Sequence, residues 1–491
     1  MFDLHIFLIL FVCISFMIFG LFFSKDHSSI SIYLNAGRSI TSGSLTASIV
    51  ASCFGVWILI GPSEAATWGG MGAVIGYALG QSCPYLAMSI LGKKLRVLMP
   101  KGNSLTQFIF ARYGSNMLNL VLFLTLFYLF IYLCAEVTAI AQIVNLITGI
   151  SLWKTSLLIL ITTLIYTLKG GLRISIITDK LQFVIIITIL FFIFYYIFFS
   201  ENINLSLDLI NEKASSLISP KYFYGYTAGL TFFIAVFATN LFDQGVWQRV
   251  FAAKSNEDLD KSFKNSFYIV LPVIFILGVC GIIGVSLDYA KNPSTIIFSL
   301  LASNGGLLIS SALLILALTL VISSMDTLIN AISSLIVIES KKFIKLSSVI
   351  SYVNLSRIVL VLLSGLIFYV ASKGLSVLYM FLLADLLCCA AVIPVFYGMF
   401  KKDIDGTKTV VSTVVGLIGG LLFFPNISFE KSILVGFWFN IDLFPNWVST
   451  ALLFWSFVIA TILPFISILL LRNKNIKYNF DRIKHVILEI K

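Results

Sequence analysis

The sequence predicts an all-α polytopic membrane protein of about thirteen transmembrane helices, arranged as two inverted five-helix repeats with two discontinuous helices. Three observations carry this. Of 491 residues, 59% are hydrophobic and 11% charged, with a mean hydropathy of +1.03, a composition that soluble domains of this length do not have. Apolar runs of roughly 20 residues, the length that crosses a bilayer, recur along the whole chain. Two of those runs are interrupted by glycine, proline or polar residues, and bare backbone at membrane depth is tolerated only against protein or a wet cavity.

The runs lie near 4–23, 44–70, 72–92, 116–148, 152–168, 174–199, 225–250, 266–287, 306–334, 353–372, 375–399, 408–424 and 448–471. The first, MFDLHIFLILFVCISFMIFGLFF, has no basic leader and no small-residue cleavage site, so a retained span is expected. Basic residues gather in alternate loops: Lys25 and Arg38; Lys93, Lys94, Arg96 and Lys101; Lys169 and Arg173; Arg249, Lys254, Lys261 and Lys264; Lys341, Lys342 and Lys345; Lys401, Lys402 and Lys408. The net charge of +11 therefore reads as a topology signal and not as a nucleic-acid footprint. It predicts an N-terminus outside and a C-terminus inside the cell membrane.

The expected organisation is an N-terminal span and loop (1–43), a first five-helix block (44–200) and an outer loop (201–224). A second five-helix block (225–400), two peripheral spans (401–472) and a basic tail (473–491) complete it. An odd number of spans per block requires the second block to be inverted. This expectation rests on span count and helix breaks, since the halves share no clear residue-level similarity. The tail reads as a short helix on the cytoplasmic membrane surface.

Composition also excludes chemistry. All seven cysteines fall in apolar spans and have no disulfide or zinc spacing. The three histidines, His5, His27 and His485, sit near the termini, which argues against a metal-dependent membrane hydrolase. No nucleophile–base pair is visible, so no enzyme is expected.

The central stretch is Ala51–Gly70, ASCFGVWILIGPSEAATWGG, broken by Gly55, Gly61 and Pro62 and carrying Glu64. One reading is a plain Gly/Pro kink. The other is an unwound helix whose carbonyls hold an ion or solute at the bilayer midplane. A second irregular run, 225–250, holds Asn240, Asp243, Gln244 and Gly245. Six acidic residues fall within spans: Glu64, Glu136, Asp179, Asp243, Asp326 and Asp385. Each costs free energy there unless paired or wet, so together they suggest a polar pathway.

In LVISSMDTLINAISS, Leu320, Ser323, Ser324 and Thr327 share one helical stripe. Hydroxyls there suit a weakly held monovalent cation, while a small-residue stripe for close helix packing explains the same spacing. Asp179, in GGLRISIITDKLQ, reads either as a helix N-cap or as negative charge beside a cation.

With these residues in hand, the chain resembles the sodium:solute symporter family, which includes sodium/proline, pantothenate and sodium/sugar transporters. The resemblance is carried by SIYLNAGRSI (31–40), ASCFGVWILIG (51–61), RYGSN (112–116), GGLRISIITDKLQ (170–182), WQRVFAAKS (247–255) and the serine pair Ser323–Ser324. It runs over roughly residues 30–400. It implies a ten-helix core of two inverted repeats with Na⁺ between the first and eighth core helices. The implied ligands are the carbonyls of Ala51, Phe54 and Leu320 and the hydroxyls of Ser323 and Ser324, with Asp179 close by. Asp179, Ser323, Ser324 and Thr327 are candidates for a second sodium.

The sequence departs from the family's proline transporters at Cys53, where they carry Asp, and from its sugar transporters at Ile58, where they carry Gln. The expected function is sodium-coupled uptake of a small polar organic solute, with an amino acid such as proline as first candidate. Trp57, Gly61, Glu64, Gln81, Asn240 and Asp243 are expected to line the solute site. The expected partners are that solute, sodium and the lipid bilayer, without nucleic acid. A proton-coupled carrier using Asp179, Glu136 or Asp385 is the alternative, and a membrane sensor a more remote one.

Overall fold

Backbone groups in hydrocarbon need internal partners, so apolar runs that cross a bilayer singly become helices. The computed structural model describes residues 2–23, 30–201, 203, 207–342, 344, 345, 349–429, 431, 432, 434, 448, 450–472 and 478–486. In order these form α1 (Phe2–Phe23), α2 (Ile30–Asn35), α3 (Ser42–Cys53), a 3₁₀ turn (Val56–Leu59), α4 (Gly61–Leu98), α5 (Leu105–Tyr113), α6 (Ser115–Thr148) and α7 (Leu152–Phe199). Two short helices, α8 (Leu207–Lys213) and α9 (Ser215–Ile218), occupy the expected loop. They lead to α10 (Phe223–Phe242), α11 (Gln244–Ala252), α12 (Asn256–Ser286), α13 (Ile296–Glu339), α14 (Val349–Ala371), α15 (Val377–Phe400), α16 (Gly406–Phe423), α17 (Leu452–Leu471) and α18 (Asp481–Val486).

With α7 counted as two at its Gly171 break, twelve of the described helices are long and apolar enough to cross a membrane. The divided segment 42–69 forms no single helix of that kind and accounts for the thirteenth expected run. Three long helices are broken by a left-handed glycine: Gly70 (φ 55°) in α4, Gly171 (φ 59°) in α7 and Gly306 (φ 60°) in α13. An unbroken α7 would measure about 72 Å, more than twice the roughly 30 Å hydrocarbon core. Gly171 divides it into lengths a bilayer accommodates.

The sequence boundaries err where polar residues begin a helix. Apolar counting starts the eighth run at 266, yet α12 starts at Asn256. The Ser255 hydroxyl accepts from the Asp258 N–H at 2.9 Å and the Asp258 carboxylate returns to Ser255 at 2.7 Å, an N-terminal cap that hydropathy does not register.

Small residues bring α4 and α10 into backbone contact. A Cβ on Gly72 would lie 2.0 Å from the Gly225 carbonyl oxygen, and one on Gly76 2.0 Å from that of Gly229. The family-like segments also meet in space. The Ile40 N–H donates to the Ala252 carbonyl (3.1 Å) and the Lys254 N–H to that of Ile40 (2.8 Å), while a Cβ on Gly171 would strike Tyr33. Arg112 of RYGSN is buried and donates to the carbonyls of Gly398, Lys401 and Ile404. It clasps the end of α15, where bare carbonyls carry negative partial charge.

One expectation changes, and the tail gains a contact. Asp179 is not an N-cap; it lies inside α7, past the Gly171 break. The described part of the tail is a six-residue helix preceded by Tyr478, whose hydroxyl donates to the Ala111 carbonyl at 2.7 Å, and Ile483 is buried. The tail thus docks on α5, and residues 473–477 and 487–491 lie outside the described set, as does Lys25 of the first basic loop.

Candidate ion and solute site

The α3 helix stops where its backbone turns extended at Phe54 (φ −80°, ψ 88°) and Gly55 (φ −84°, ψ 175°). Past the break, the Gly55 N–H folds back onto the Cys53 carbonyl (3.1 Å). The Val56 and Trp57 N–H groups leave the helical pattern altogether and donate to the carboxyl of Glu136, at 2.9 and 3.4 Å. Among the described residues, the carbonyls of Ala51 and Phe54 therefore receive no backbone hydrogen bond. Glu136, on α6 and completely buried, also accepts from Ser324 of α13 at 2.7 Å. One carboxyl joins the break to the serine pair. Glycine is required at position 55, since a Cβ there would lie 2.3 Å from Glu136 Oε1.

Leu320, Ser323, Ser324 and Thr327 are all buried on α13, and the hydroxyls of the last three part ways. Ser323 donates to Asp179 Oδ1 at 3.0 Å, Ser324 to Glu136. Asp179 Oδ2 accepts from Ser48 (2.5 Å) and from Arg249 Nη2 (2.8 Å). Arg249 also donates to Thr327 (2.9 Å), to Ser48 (2.9 Å) and to the Gly245 carbonyl (3.0 Å). Both partners of this ion pair are fully buried. The Arg249 guanidinium thus bridges Asp179 and Thr327, two of the residues expected around a second sodium. Asp326 is occupied elsewhere, accepting from Asn330 (2.9 Å) and Thr178 (3.3 Å).

The second discontinuity falls at Asp243 (φ −62°, ψ 112°), between α10 and α11. Its carboxyl caps α11 by accepting from the Val246 N–H at 3.0 Å. A cavity with about 570 Å³ of empty space, part of it open to solvent, lies between the two breaks. Of the residues expected at the solute site, Trp57, Gln81, Asn240 and Asp243 line it. Gln81 and Asn240 form a reciprocal amide pair at 3.1 and 3.3 Å. Gly61 stands behind the wall, giving room to the Tyr77 hydroxyl. Glu64 lines a different cavity, with Trp68 and Tyr222.

Sequence reasoning missed the aromatic wall of Tyr77, Tyr85, Tyr128, Tyr132 and Phe381, and it left Asp385 without a place. Asp385 accepts from Thr239 at 2.7 Å. The tyrosines carry a polar tip on an apolar span, a signal that apolar counting discards.

The family model of the sodium:solute symporter family matches residues 33–416. A relative named spermidine transporter, from Candida albicans, is 25% identical over 390 residues, covering 77% of this chain and 72% of the relative. The urea active transporter of Saccharomyces cerevisiae is 21% identical over 432 residues, covering 80% and 58%. In fold, the chain matches a Na⁺-coupled sialic acid symporter in its substrate-bound, outward-open state with a TM-score of 0.73, at 18% identity and over 96% of this chain and 99% of that one. The protein is a transporter and not an enzyme, and the chain belongs to the sodium:solute symporter family.

Proposed function

We propose that this chain imports a small polar organic solute across the cell membrane by sodium-coupled alternating access. The observation that carries the reading is the break after α3. It leaves the Ala51 and Phe54 carbonyls without backbone donors and packs against α13, where Ser323 and Ser324 lie buried. Two carbonyls, the Leu320 carbonyl and two hydroxyls form a neutral oxygen set suited to a monovalent cation that must also leave. A cation there draws α3 and α13 together and orders the break that forms one wall of the solute cavity. By linkage, solute then tightens sodium binding by the same factor. One cation is proposed, because Arg249 neutralises Asp179.

The ten-helix core is read as two inverted repeats, with the N-terminus outside and the C-terminus inside, following the alternation of basic loops. An amino acid such as proline is one solute of the required size; relatives named for spermidine and urea widen the class. The test is uptake into proteoliposomes with an inward sodium gradient, comparing wild type with Ser323→Ala plus Ser324→Ala at matched expression. Loss of sodium dependence supports the site, and unchanged dependence rejects it. The second reading, proton coupling, is favoured by the uncompensated carboxyls of Glu136 and Asp385, which pair with no Lys or Arg among the described residues. It predicts uptake driven by an imposed pH gradient with sodium absent.

A further inference from the structure

Resting on the symport reading above, we infer that the solute is an organic cation, an amine held by Asp243 and Asp385 against an aromatic wall. The charged side chains lining the central cavity are Asp243 and Asp385, and no Lys, Arg or His is among the lining residues. Neither carboxyl forms an ion pair among the described residues. The nearest strong base, Arg249, is committed to Asp179, Thr327, Ser48 and the Gly245 carbonyl. Two buried carboxyls without an ion-pair partner are costly at membrane depth, and a cationic solute relieves that cost. A neutral or anionic solute leaves it in place.

The rest of the wall has the matching chemistry. Trp57 stacks on Tyr77 at 5.8 Å between ring centroids and meets Phe381 edge-on at 6.2 Å; Phe381 meets Tyr132 at 5.0 Å, and Tyr132 meets Tyr128 at 5.7 Å. The faces of such rings attract ammonium groups, most strongly when water is excluded. Two separate acids line the cavity. Asp385 is bonded to Thr239 of α10, and Asp243 stands at the start of α11. A short diamine has one carboxyl to meet each of its ammonium groups.

The experiment is equilibrium binding of labelled 1,4-diaminobutane to the purified full chain in lipid nanodiscs, with and without sodium. Unlabelled methylammonium, choline, proline, urea and gluconate are the competitors. Saturable binding displaced by the cations, and not by urea or gluconate, is the expected result. Asp385→Asn should weaken it by about tenfold or more, while Asp385→Glu retains most of it. Asp243 also caps α11, so Asp243→Asn is read beside a thermal unfolding curve that reports whether the fold is kept. Absence of diaminobutane binding by a folded, sodium-stabilised protein overturns the inference, as does displacement by urea or gluconate as readily as by cations. Cation binding that sodium does not tighten keeps this inference and overturns the sodium reading instead.

Discussion

Replacing Glu136 tests the junction between the helix break and the serine pair. In Glu136→Ala the N–H groups of Val56 and Trp57 and the hydroxyl of Ser324 lose their acceptor. The glutamate is fully buried, so bulk water does not replace it. A buried donor left unsatisfied costs about 1–3 kcal/mol. The shorter of the two backbone bonds carries more than the 3.4 Å one, and the Ser324 hydroxyl keeps its bond to the Val321 carbonyl. The sum is on the order of 3–5 kcal/mol. Glu136→Gln keeps an acceptor for one N–H but turns an amide N–H₂ toward the other donors, which costs about 1–3 kcal/mol.

The assay is twofold: the midpoint of unfolding in mixed detergent–SDS micelles, and the sodium concentration giving half-maximal uptake. Both substitutions should lower the midpoint, alanine more than glutamine. Both should raise the sodium requirement, since the break no longer holds its carbonyls in place. About tenfold in sodium corresponds to roughly 1.4 kcal/mol. If alanine shifts stability by less than about 0.5 kcal/mol, the range of ordinary surface changes, and sodium dependence is untouched, the carboxyl does not organise the break.

Other parts of the molecule make independent predictions. Arg249→Met leaves Asp179 buried without its partner and should destabilise by about 3–5 kcal/mol, while Arg249→Met combined with Asp179→Leu recovers most of the loss; unfolding midpoints of the three variants decide it. Gly76→Val pushes side-chain atoms into the Gly229 backbone, so its yield of folded protein by size-exclusion chromatography should collapse, whereas Gly43→Ala, with open space around its Cβ, should behave as wild type. Arg112→Ala removes three bonds to the end of α15 and should cost about 2–4 kcal/mol, read from the same unfolding curves.

The sequence by itself determined that the chain spans a membrane many times and where most of the spans lie. It also marked the two interrupted stretches, Ala51–Gly70 and 225–250, within which the structure places the discontinuities at Phe54–Gly55 and at Asp243. These are local properties: hydropathy over a window, and residues whose own chemistry stops a helix. The family was legible for a related reason, because its motifs are short segments in a fixed order. What each buried polar group touches was not legible. Val56 meets Glu136 across 80 residues, Ser324 meets Glu136 across 188, and Asp179 meets Arg249 across 70. Such pairs are set by which helix faces pack together, and a helical stripe fixes only its own face. Packing paired Asp179 with the Arg249 guanidinium, placed Glu64 beside a different cavity and brought Asp385 to the central one. It also converted scattered tyrosines into one aromatic wall. Burial removes water as the alternative partner, so the protein itself must supply each partner, and only the tertiary arrangement says which one it is.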